Sequence, residues 1–598
     1  MPTEETNEKS WFKKLFWPIF LSLTLSSLLF YILIVFGLFG IFSLFGDDTM
    51  ELEPNTILHL KLDGPIRESS NVELDPMSFN LNSQTGLADI IFGLEKASSD
   101  VNVRGLFIDF GDVDCGMATA KELRDAILAF QKSGKFVLAY NSGEYISQKA
   151  YYISSVADEV YAFPKSVFEW KGLGGEVQFF KGLLDKLDVD IEIVRGSDND
   201  FKSAVEPFYR KTMSDSSRIQ TERYLSSMWS MYLSEIEKTT QINKDTLDAY
   251  AEVLRIRGAS DAHDLGLIDG LKYRDEIEKI LMKKTKVSKS ADLLFFDFDT
   301  YCKRSFIEDQ NVAEFSDSQI AVVVAAGDIS VDGQGMSSTK ICNYLSKVRG
   351  DENIKAVVFR VNSPGGSALA SEEIWREVEL TNKIKPIIVS MGDLAASGGY
   401  YVAAPATRIF ASPSTITGSI GVFGMIPYTG DMLENKLGIT FDYVSTHSHG
   451  VLSLNKKLTD EELMIVKEET DEVYQLFLNR VASGRNMELS KVHQIARGRV
   501  WTGSDALSIG LVDELGGMKE ALLYAKKLIQ SKNASVIYYP RIKENGLEVL
   551  LRLLEDENSI ESKSLLHHPL LNDMDKNIRR IEEMKGIQMR MPYDIKIN

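Results

Sequence analysis

The sequence predicts an α/β fold made of two tandem copies of one parallel-sheet domain, preceded by a single apolar helix. Two stretches repeat at an offset of about 250 residues. SGKFVLAY (133–140) corresponds to KIKPIIVS (383–390), and AYYISSVADEVYAFP (150–164) corresponds to GYYVAAPATRIFASP (399–413). In both copies short β-branched runs alternate with amphipathic stretches, which is the pattern of parallel βαβ units.

A third matching pair, LLDKLDVDIEIV (183–194) and MLENKLGITFDYV (432–444), keeps the same order and spacing. The second copy shows the alternation most clearly. Its predicted elements are strands at 320–326, 356–361 and 386–390 and a helix at 370–383.

The chain has 598 residues, more than a single hydrophobic core usually organises. Composition divides it into segments with different roles. These are an N-terminus (1–14), an apolar helix (15–46), the first copy (47–283), a linker or crossover (284–318), the second copy (319–540) and a charged, partly helical tail without a readable motif (541–598).

The apolar helix is predicted to cross a membrane. Leu15 to Phe45 contains no charged residue, and about 20 apolar residues are enough to span a bilayer. A cleaved signal peptide is the alternative, but its apolar region is only about 7–15 residues long and is followed by an A-x-A-like site. Lysines precede the helix and acidic residues follow it, so the positive-inside rule places 1–14 in the cytoplasm and both copies on the extracytoplasmic side.

Charge and cysteine content exclude several classes of protein. The formal net charge of −19 makes nucleic acid a poor partner, because binding to phosphates depends on Lys and Arg. The three cysteines, Cys115, Cys302 and Cys342, form neither a metal-ligand spacing nor a disulfide framework. We therefore predict no metal site.

Ser397 is the candidate nucleophile. It follows the predicted strand at 386–390 in MGDLAASGGYY, where small residues leave its hydroxyl uncrowded. The N–H of Gly398 and the dipole of the following helix would favour an oxyanion there. An ordinary helix N-cap serine is the alternative interpretation.

Gly365 and Gly366 are candidates for a second oxyanion donor. They follow the predicted strand at 356–361 in NSPGG, and glycine lets the backbone approach a ligand closely. For an isolated PGG a plain βα turn is the favoured interpretation, because Pro and Gly mark turns everywhere.

The comparison between copies strengthens these candidates, because the chemistry-capable residues occur in one copy only. The corresponding positions are Gly365 and Gly366 against Asp114 and Cys115, Ser397 against Gln148 or Ser147, and Ser419 against Trp170.

Lys202 is the converse case. It lies in the first copy, and the corresponding position of the second copy is Leu452. A serine hydroxyl needs a base, and a lysine can serve if burial lowers its pKa from about 10.4 towards neutrality. The apolar residues of FKSAVEPF (201–208) would supply that burial. Most lysines are solvated surface charges, so Lys202 gains weight mainly from its complementarity with Ser397.

Together these segments resemble the signatures of the long, duplicated form of the signal peptide peptidase A family, also called protease IV, within the Clp protease and crotonase superfamily. The matching segments, in the family's order, are FKSAVEPF (201–208), RVNSPGGSALASE (360–372), MGDLAASGGYYVA (391–403), PSTITGSIGVFG (413–424) and VWTGSDALSIGLVDELGG (500–517).

The resemblance implies a serine endopeptidase with a Ser/Lys dyad. Ser397 would be the nucleophile, Lys202 the general base and Ser419 the residue that orients the lysine. The backbone of Gly365 or Gly366, with that of Gly398, would form the oxyanion hole. The resemblance also implies crotonase-like domains of ββα-type units, a homotetramer, no cofactor, and remnant signal peptides in the bacterial inner membrane as substrates.

Four other interpretations compete. A Ser-His-Asp hydrolase lacks its G-x-S-x-G elbow here, and the histidines of THSHG (446–450) fit a solvent-facing loop. A penicillin-recognising enzyme would explain the S-x-x-K matches at Ser337 and Ser453, but K-T-G is absent. A noncatalytic membrane scaffold and a crotonase-like acyl-CoA enzyme remain open, because one fold hosts many functions.

Overall fold

The computed structural model describes residues 52–69, 71–74, 81–313, 315–333, 335–540 and 587–591. Among them, no helix is both long and apolar enough to cross a membrane. The predicted transmembrane helix at 15–46 lies outside the described residues. We call the described residues up to 313 the first half and those from 315 to 540 the second half.

The first half alternates strands and helices. Its strands are β1 (Thr56–Pro65), β2 (Asn71–Leu74), β3 (Leu81–Gln84), β4 (Val103–Asp114), β5 (Phe136–Asn141), β6 (Tyr145–Ile146), β7 (Glu159–Ala162), β8 (Val167–Phe168), β9 (Asp190–Arg195), β10 (Gly270–Leu271) and β11 (Phe295–Asp297). Its helices are α1 (Leu87–Ser99), α2 (Met117–Gln131), α3 (Gln148–Ser154), α4 (Lys181–Leu187), α5 (Glu206–Tyr209), α6 (Asp215–Thr240), α7 (Lys244–Glu252), α8 (Ala259–Asp264), α9 (Arg274–Thr285) and α10 (Phe298–Ala313), with a short 3₁₀ helix at Ser290–Asp292.

The second half continues the alternation. Its strands are β12 (Gln319–Ala326), β13 (Ile329–Ser330), β14 (Met336–Ser337), β15 (Ile354–Ser363), β16 (Gly365–Ser367), β17 (Ile387–Ala396), β18 (Arg408–Ala411), β19 (Ile416–Gly418), β20 (Phe423–Tyr428), β21 (Val500–Thr502), β22 (Glu514–Leu515) and β23 (Ser535–Tyr539). Its helices are α11 (Ser338–Gly350), α12 (Ala368–Asn382), α13 (Gly398–Ala403), α14 (Gly430–Leu437), α15 (Asp460–Arg485), α16 (Leu489–Ile495), α17 (Gly503–Ile509) and α18 (Met518–Leu528). A last strand, β24 (Ile587–Arg590), follows in the tail.

Each half is built on a parallel sheet, and the two sheets have equivalent strand orders. The first runs β10-β7-β5-β4-β1-β11, and the second runs β22-β18-β17-β15-β12-β23. Every pair along these two paths is parallel. The predicted α/β fold with parallel sheets is therefore confirmed.

The central strands are apolar because helices cover both faces of such sheets. In β15 most side chains are fully buried, and the strands and helix predicted in the second copy fall within β12, β15, β17 and α12. The predicted linker at 284–318 carries structure of its own. Its strand β11 closes the first sheet, and α10 buries Phe298 and Cys302 in the core of the first half.

A third sheet crosses between the halves and frames the site described below. Its order is β14-β13-β16-β24-β20-β9. β9 of the first half pairs antiparallel with β20 of the second, from Asp190 opposite Tyr428 to Arg195 opposite Phe423. β24 pairs antiparallel with both β16 and β20. The tail predicted to lack a motif thus supplies one strand of this sheet.

Candidate active site

Lys202 of the first half meets Ser397 and Ser419 of the second half in the interior of the protein. Lys202 Nζ lies 2.7 Å from Ser397 Oγ, 3.1 Å from Ser419 Oγ and 3.0 Å from the Ser419 carbonyl oxygen. All three residues have an exposed fraction of 0%. The structure therefore brings together three side chains that the sequence analysis singled out from distant segments.

Burial changes the protonation of the amine. It lowers the pKa of Lys202 well below the usual 10.5, because desolvation disfavours the ammonium form. Ala204, Val205 and Phe423 form an apolar cluster beside it. The described contacts of Nζ are hydroxyl and carbonyl oxygens, so no carboxylate among them offsets the cost of a charge. The neutral amine is the form that this site favours.

The pairing of β9 with β20 explains how these residues come together. Lys202 lies in the loop that follows β9, and Ser419 lies just before β20. Because the two strands are antiparallel, with Arg195 opposite Phe423, the end of one adjoins the start of the other. The lysine loop of one half is thus delivered to the serine loops of the other.

Ser397 occupies a sharp turn between β17 and α13. Its backbone has φ 57° and ψ −115°, a region that costs a non-glycine residue about 1–3 kcal/mol and clusters at functional sites. Its N–H donates to the Gly418 carbonyl at 2.7 Å, and its own carbonyl accepts from the Tyr401 N–H at 2.8 Å. The same strand-to-helix geometry exposes the nucleophilic serine of other hydrolases.

The corresponding turn of the first half shows what an ordinary serine does there. Ser147 begins α3 as Ser397 begins α13, so Ser147 rather than Gln148 is its structural counterpart. Ser147 has φ −74°, and its hydroxyl accepts from the Ala150 N–H as a helix cap. Ser397 makes no side-chain cap bond. Its hydroxyl faces the lysine instead.

The glycines of NSPGG line the same turn. Gly365 has φ +100°, and a β-carbon there would lie 2.8 Å from the backbone nitrogen of Gly398. A β-carbon on Gly366 would lie 2.2 Å from the Ile329 carbonyl oxygen, so neither position tolerates a side chain. The N–H of Gly365 donates to the Ser363 hydroxyl at 3.2 Å, which leaves the N–H groups of Gly366 and Gly398 as the candidates for binding an anion.

Two residues that position the lysine were missed by the sequence analysis. Gly498 has φ +77°, and a β-carbon there would lie 2.5 Å from the Lys202 β-carbon and 2.6 Å from its backbone nitrogen. Gln220 donates to the Phe201 carbonyl at 3.1 Å and accepts from the Val500 N–H at 3.2 Å. Both residues contact the lysine loop or its neighbours from segments far away in the sequence. The local sequence gives no sign of such contacts apart from the presence of the glycine.

The competing motifs lie elsewhere. His447 and His449 are in an exposed segment without regular structure, and His449 contacts Glu461 and Glu462. The hydroxyl of Ser337, in one S-x-x-K match, caps α11. Within the part of the chain that the structure describes, no group of three or more His, Cys, Asp or Glu residues is arranged to hold a metal ion.

Comparison with known proteins places this geometry in a family. Residues 129–288 and 379–532 match peptidase family S49. "Protease 4" of Haemophilus influenzae is 34% identical over 519 residues, which cover 83% of this chain and 83% of that protein. The chain belongs to peptidase family S49. Its resemblance to signal peptide peptidase A, or protease IV, is thereby confirmed.

Other S49-related proteins show how far the similarity extends. "Serine protease SPPA, chloroplastic" of Arabidopsis thaliana is 31% identical over 465 residues, covering 76% of this chain and 67% of that protein. "Putative signal peptide peptidase SppA" of Enterococcus faecium is 39% identical over 198 residues, covering 33% of this chain and 57% of that protein. The S49 match includes Lys202 in its first segment and Ser397 and Ser419 in its second.

Proposed function

We propose that the chain is a membrane-anchored serine endopeptidase in which Ser397 is the nucleophile and Lys202 the general base. Its substrates are short hydrophobic peptides, such as signal peptides that remain after preprotein processing. The observation that carries the proposal is the separation of 2.7 Å between Lys202 Nζ and Ser397 Oγ, at a lysine that burial keeps uncharged.

The reaction is acyl transfer in two stages. The neutral amine of Lys202 takes the proton of Ser397 as Oγ attacks the peptide carbonyl carbon, and the resulting ammonium gives that proton to the departing amine. Water then hydrolyses the ester, with Lys202 again accepting and returning a proton. Ser419 Oγ, at 3.1 Å from Nζ, keeps the amine directed at Ser397 through both stages.

The N–H groups of Gly366 and Gly398 stabilise the negative oxygen of the tetrahedral intermediate. Fixed donors of this kind need no reorganisation when charge develops, and removing a single side-chain donor from the oxyanion hole of subtilisin costs about 2.7–4 kcal/mol. The N–H of Gly398 also begins α13, but a helix this short adds little by its dipole.

The buried lysine argues against a noncatalytic scaffold. An interior amine whose described partners include no carboxylate costs several kcal/mol if it is charged, and it loses hydration even if it is neutral. A protein without chemistry at this site gains nothing in return. An acyl-CoA enzyme of crotonase type would use the oxyanion donors, but it has no need for a lysine in contact with a serine.

The substrate class and location rest on relatives and on the sequence. The Enterococcus faecium relative is described as a putative signal peptide peptidase. The predicted transmembrane helix at 15–46 would hold the site at the extracytoplasmic face of the inner membrane, where cleaved signal peptides remain in the bilayer. Apolar peptides also keep water away from the lysine.

The family resemblance implies that four copies of the chain assemble into a homotetramer. Two segments that form no strand pairs within the chain support such an assembly. Residues 439–444 correspond through the repeat to β9, yet they form no strand and expose Phe441 and Tyr443. Residues 174–179 correspond to β20 and are also unpaired. If 439–444 of one copy pairs with 174–179 of the next, the contact is head-to-tail, and it gives a ring when the rotation between successive copies closes.

The test is turnover of a fluorogenic hydrophobic peptide by the purified full-length protein in detergent. Ser397→Ala and Lys202→Ala are each expected to reduce kcat/KM by at least about a thousandfold, as loss of a nucleophile or its base does in other serine proteases. Ser147→Ala, at the corresponding turn of the first half, serves as the matched control and should retain turnover. Full activity in either dyad variant would remove the proposal.

A further inference from the structure

β17 contains a bulge shortly before the nucleophile. Between its ladder positions at Met391 and Ala395, β17 advances by four residues while its partner β15 advances by two. The extra residues therefore lie within 392–394, and Ser397 follows almost at once. Bulges beside active sites change the direction of a strand and of the side chain that it carries.

The bulge moves β17 from one neighbouring strand to another. Before the bulge β17 pairs with β18, and after it β17 pairs with β19, where Ala396 lies opposite Gly418. The next residue, Ser419, has its hydroxyl 3.1 Å from Lys202 Nζ, and the N–H of Ser397 donates to the Gly418 carbonyl at 2.7 Å. The bulge therefore determines where Ser397 lies relative to the residues that orient the lysine.

The side chain of Asn362, in β15, connects this bulge to the first half of the chain. Its Oδ1 accepts from the Leu394 N–H at 3.0 Å, and its Nδ2 donates to Glu68 Oε1 at 2.7 Å. Glu68 follows β1 in the first half. Because one end of an amide accepts and the other donates, the two partners together fix the orientation of Asn362.

Glu68 is itself held in a single position. Its carboxylate oxygens accept from the Arg360 guanidinium at 2.8 Å and 3.0 Å, and its exposed fraction is 8%. A bidentate pair of this kind fixes geometry as well as charge. A β-carbon on Gly392 would lie 2.5 Å from Glu68 Oε1 and 2.8 Å from Asn362 Cγ, so the bulge needs glycine where the carboxylate approaches it.

The first half contacts the bulge at a second point, the start of α2. Asp393 accepts from the Thr119 N–H at 2.9 Å and from the Thr119 hydroxyl at 2.6 Å. A β-carbon on Gly116, directly before α2, would lie 2.1 Å from Asp393 Cγ. The first N–H groups of a helix lack partners within the helix, so the carboxylate supplies one. The bulge is thus tied to the same half that supplies Lys202.

We propose that Glu68 and Asn362 are positioning residues, and that through this pair the first half sets the bulge that directs Ser397 towards Lys202. The inference rests on the proposed Ser397–Lys202 chemistry. The first half then supplies the base and also places the nucleophile against it. Because a displacement of about 1 Å can cost about a hundredfold in rate, changing the pair lowers kcat and leaves KM nearly unchanged.

Exchanging the two functional groups tests the pair in the full-length protein in detergent. Asn362→Asp sets two carboxylates against each other, so kcat for the fluorogenic peptide should fall by about a hundredfold. Glu68→Gln alone should reduce kcat less, because the amide oxygen still accepts from Arg360. In the double variant the new amide donates to the new carboxylate, which still accepts from the Leu394 N–H, and the net charge is unchanged. Its kcat should return to within about tenfold of the wild type, since contacting residues are coupled.

Two further variants separate positioning from a loss of stability. Asn362→Ala removes both hydrogen bonds without adding a charge, so its kcat should also fall, and adding Glu68→Gln should not restore it. Asp513→Asn is the control, because Asp513 pairs with Arg485 and accepts from the Ile409 N–H at 2.8 Å, outside the bulge. This control should lower the midpoint of thermal unfolding and keep kcat.

Circular dichroism establishes which variants are folded, and the kinetic outcomes are then distinct. Wild-type kcat in folded Asn362→Ala, or a folded double variant that is no more active than Asn362→Asp, would overturn the inference and leave the proposed function in place. Failure of the wild-type protein to cleave the peptide would instead count against the proposed function.

Discussion

At the scale of single residues, the chemistry depends on one amine whose charge the fold suppresses. Burial lowers the pKa of Lys202 well below 10.5, so the folded protein binds fewer protons here than the unfolded chain between the two pKa values. Stability therefore rises with pH across that window. The buried amine that the proposed catalysis requires therefore lowers the stability of the folded protein.

The substitution Lys202→Met tests this opposition. It is expected to raise the free energy of unfolding by about 1 kcal/mol or more at neutral pH, as loss of a strained functional group commonly does, while abolishing turnover. The gain should shrink as pH rises towards 10.5, where the unfolded lysine also loses its proton. Denaturant unfolding of both proteins at several pH values measures this difference in the free energy of unfolding.

A matched variant and a kinetic profile complete this test. Lys149→Met, which removes an amine that donates to the Cys115 carbonyl at 3.0 Å, is the control and should not raise the free energy of unfolding. In the wild-type protein kcat/KM should fall on the acid side, as pH drops through the lowered pKa of Lys202 and the base is protonated. A gain for Lys202→Met that is constant with pH would contradict a neutral amine.

Gly498 places the lysine through its backbone rather than through a side chain. Gly498→Ala would set a β-carbon 2.5 Å from that of Lys202 at φ +77°, so the lysine loop must move. Because small displacements of catalytic groups can cost about a hundredfold in rate, we expect kcat to fall by that order while KM changes little.

Steady-state kinetics with the fluorogenic peptide measure this effect. Gly510→Ala is the control, since that glycine also has a positive φ, +83°, but ends α17 and meets only the Met487 side chain. It should lose stability and keep kcat. Equal kcat for the wild type and Gly498→Ala would show that Gly498 does not position Lys202.

At the scale of elements, the local sequence was enough to predict the buried strands of the second sheet. The β-branched runs at 320–326 and 356–361 became β12 and β15, because a strand buried on both faces must be apolar along its length. The repeat also identified the serine turn, although it left Ser147 and Gln148 as alternative counterparts of Ser397. Only the backbone geometry distinguished them.

Elements that depend on distant partners were not predictable in this way. β9 and the residues at 439–444 have similar sequences, yet only β9 is a strand, because only β9 has β20 to pair with. β24 is too short to show a pattern, and its partners precede it by more than 150 residues. Strand pairing of this kind is set by the assembled fold.

At the scale of the whole molecule, the halves are joined by buried charge as well as by the third sheet. Arg360 in β15 contacts Glu68 at 2.8 Å and Glu122 at 2.8 Å, both from the first half. Asp393 in β17 accepts from the Thr119 N–H at 2.9 Å. Because removing one partner of such a network leaves an uncompensated charge, these contacts fix how the lysine half meets the serine half.

The same duplication leads to a prediction about assembly. Within one chain β9 of the first half pairs with β20 of the second, so the corresponding segments 439–444 and 174–179 are left without partners. Phe441 and Tyr443 are 41% and 38% exposed. Replacing both with Glu places charges where we expect a neighbouring chain to pack, and the full-length protein in detergent should dissociate to monomers.

Light scattering after size exclusion distinguishes the outcomes, and substituting Glu for Ile219 and Val253 provides a control. Those residues are 55% and 66% exposed, but Ile219 lies on α6 and Val253 directly follows α7, outside both unpaired segments, so this control should keep the assembled mass. Since each chain carries its own Lys202–Ser397 pair, dissociated monomers should retain dyad chemistry on short peptides. A variant that stays assembled would show that 439–444 does not join the chains.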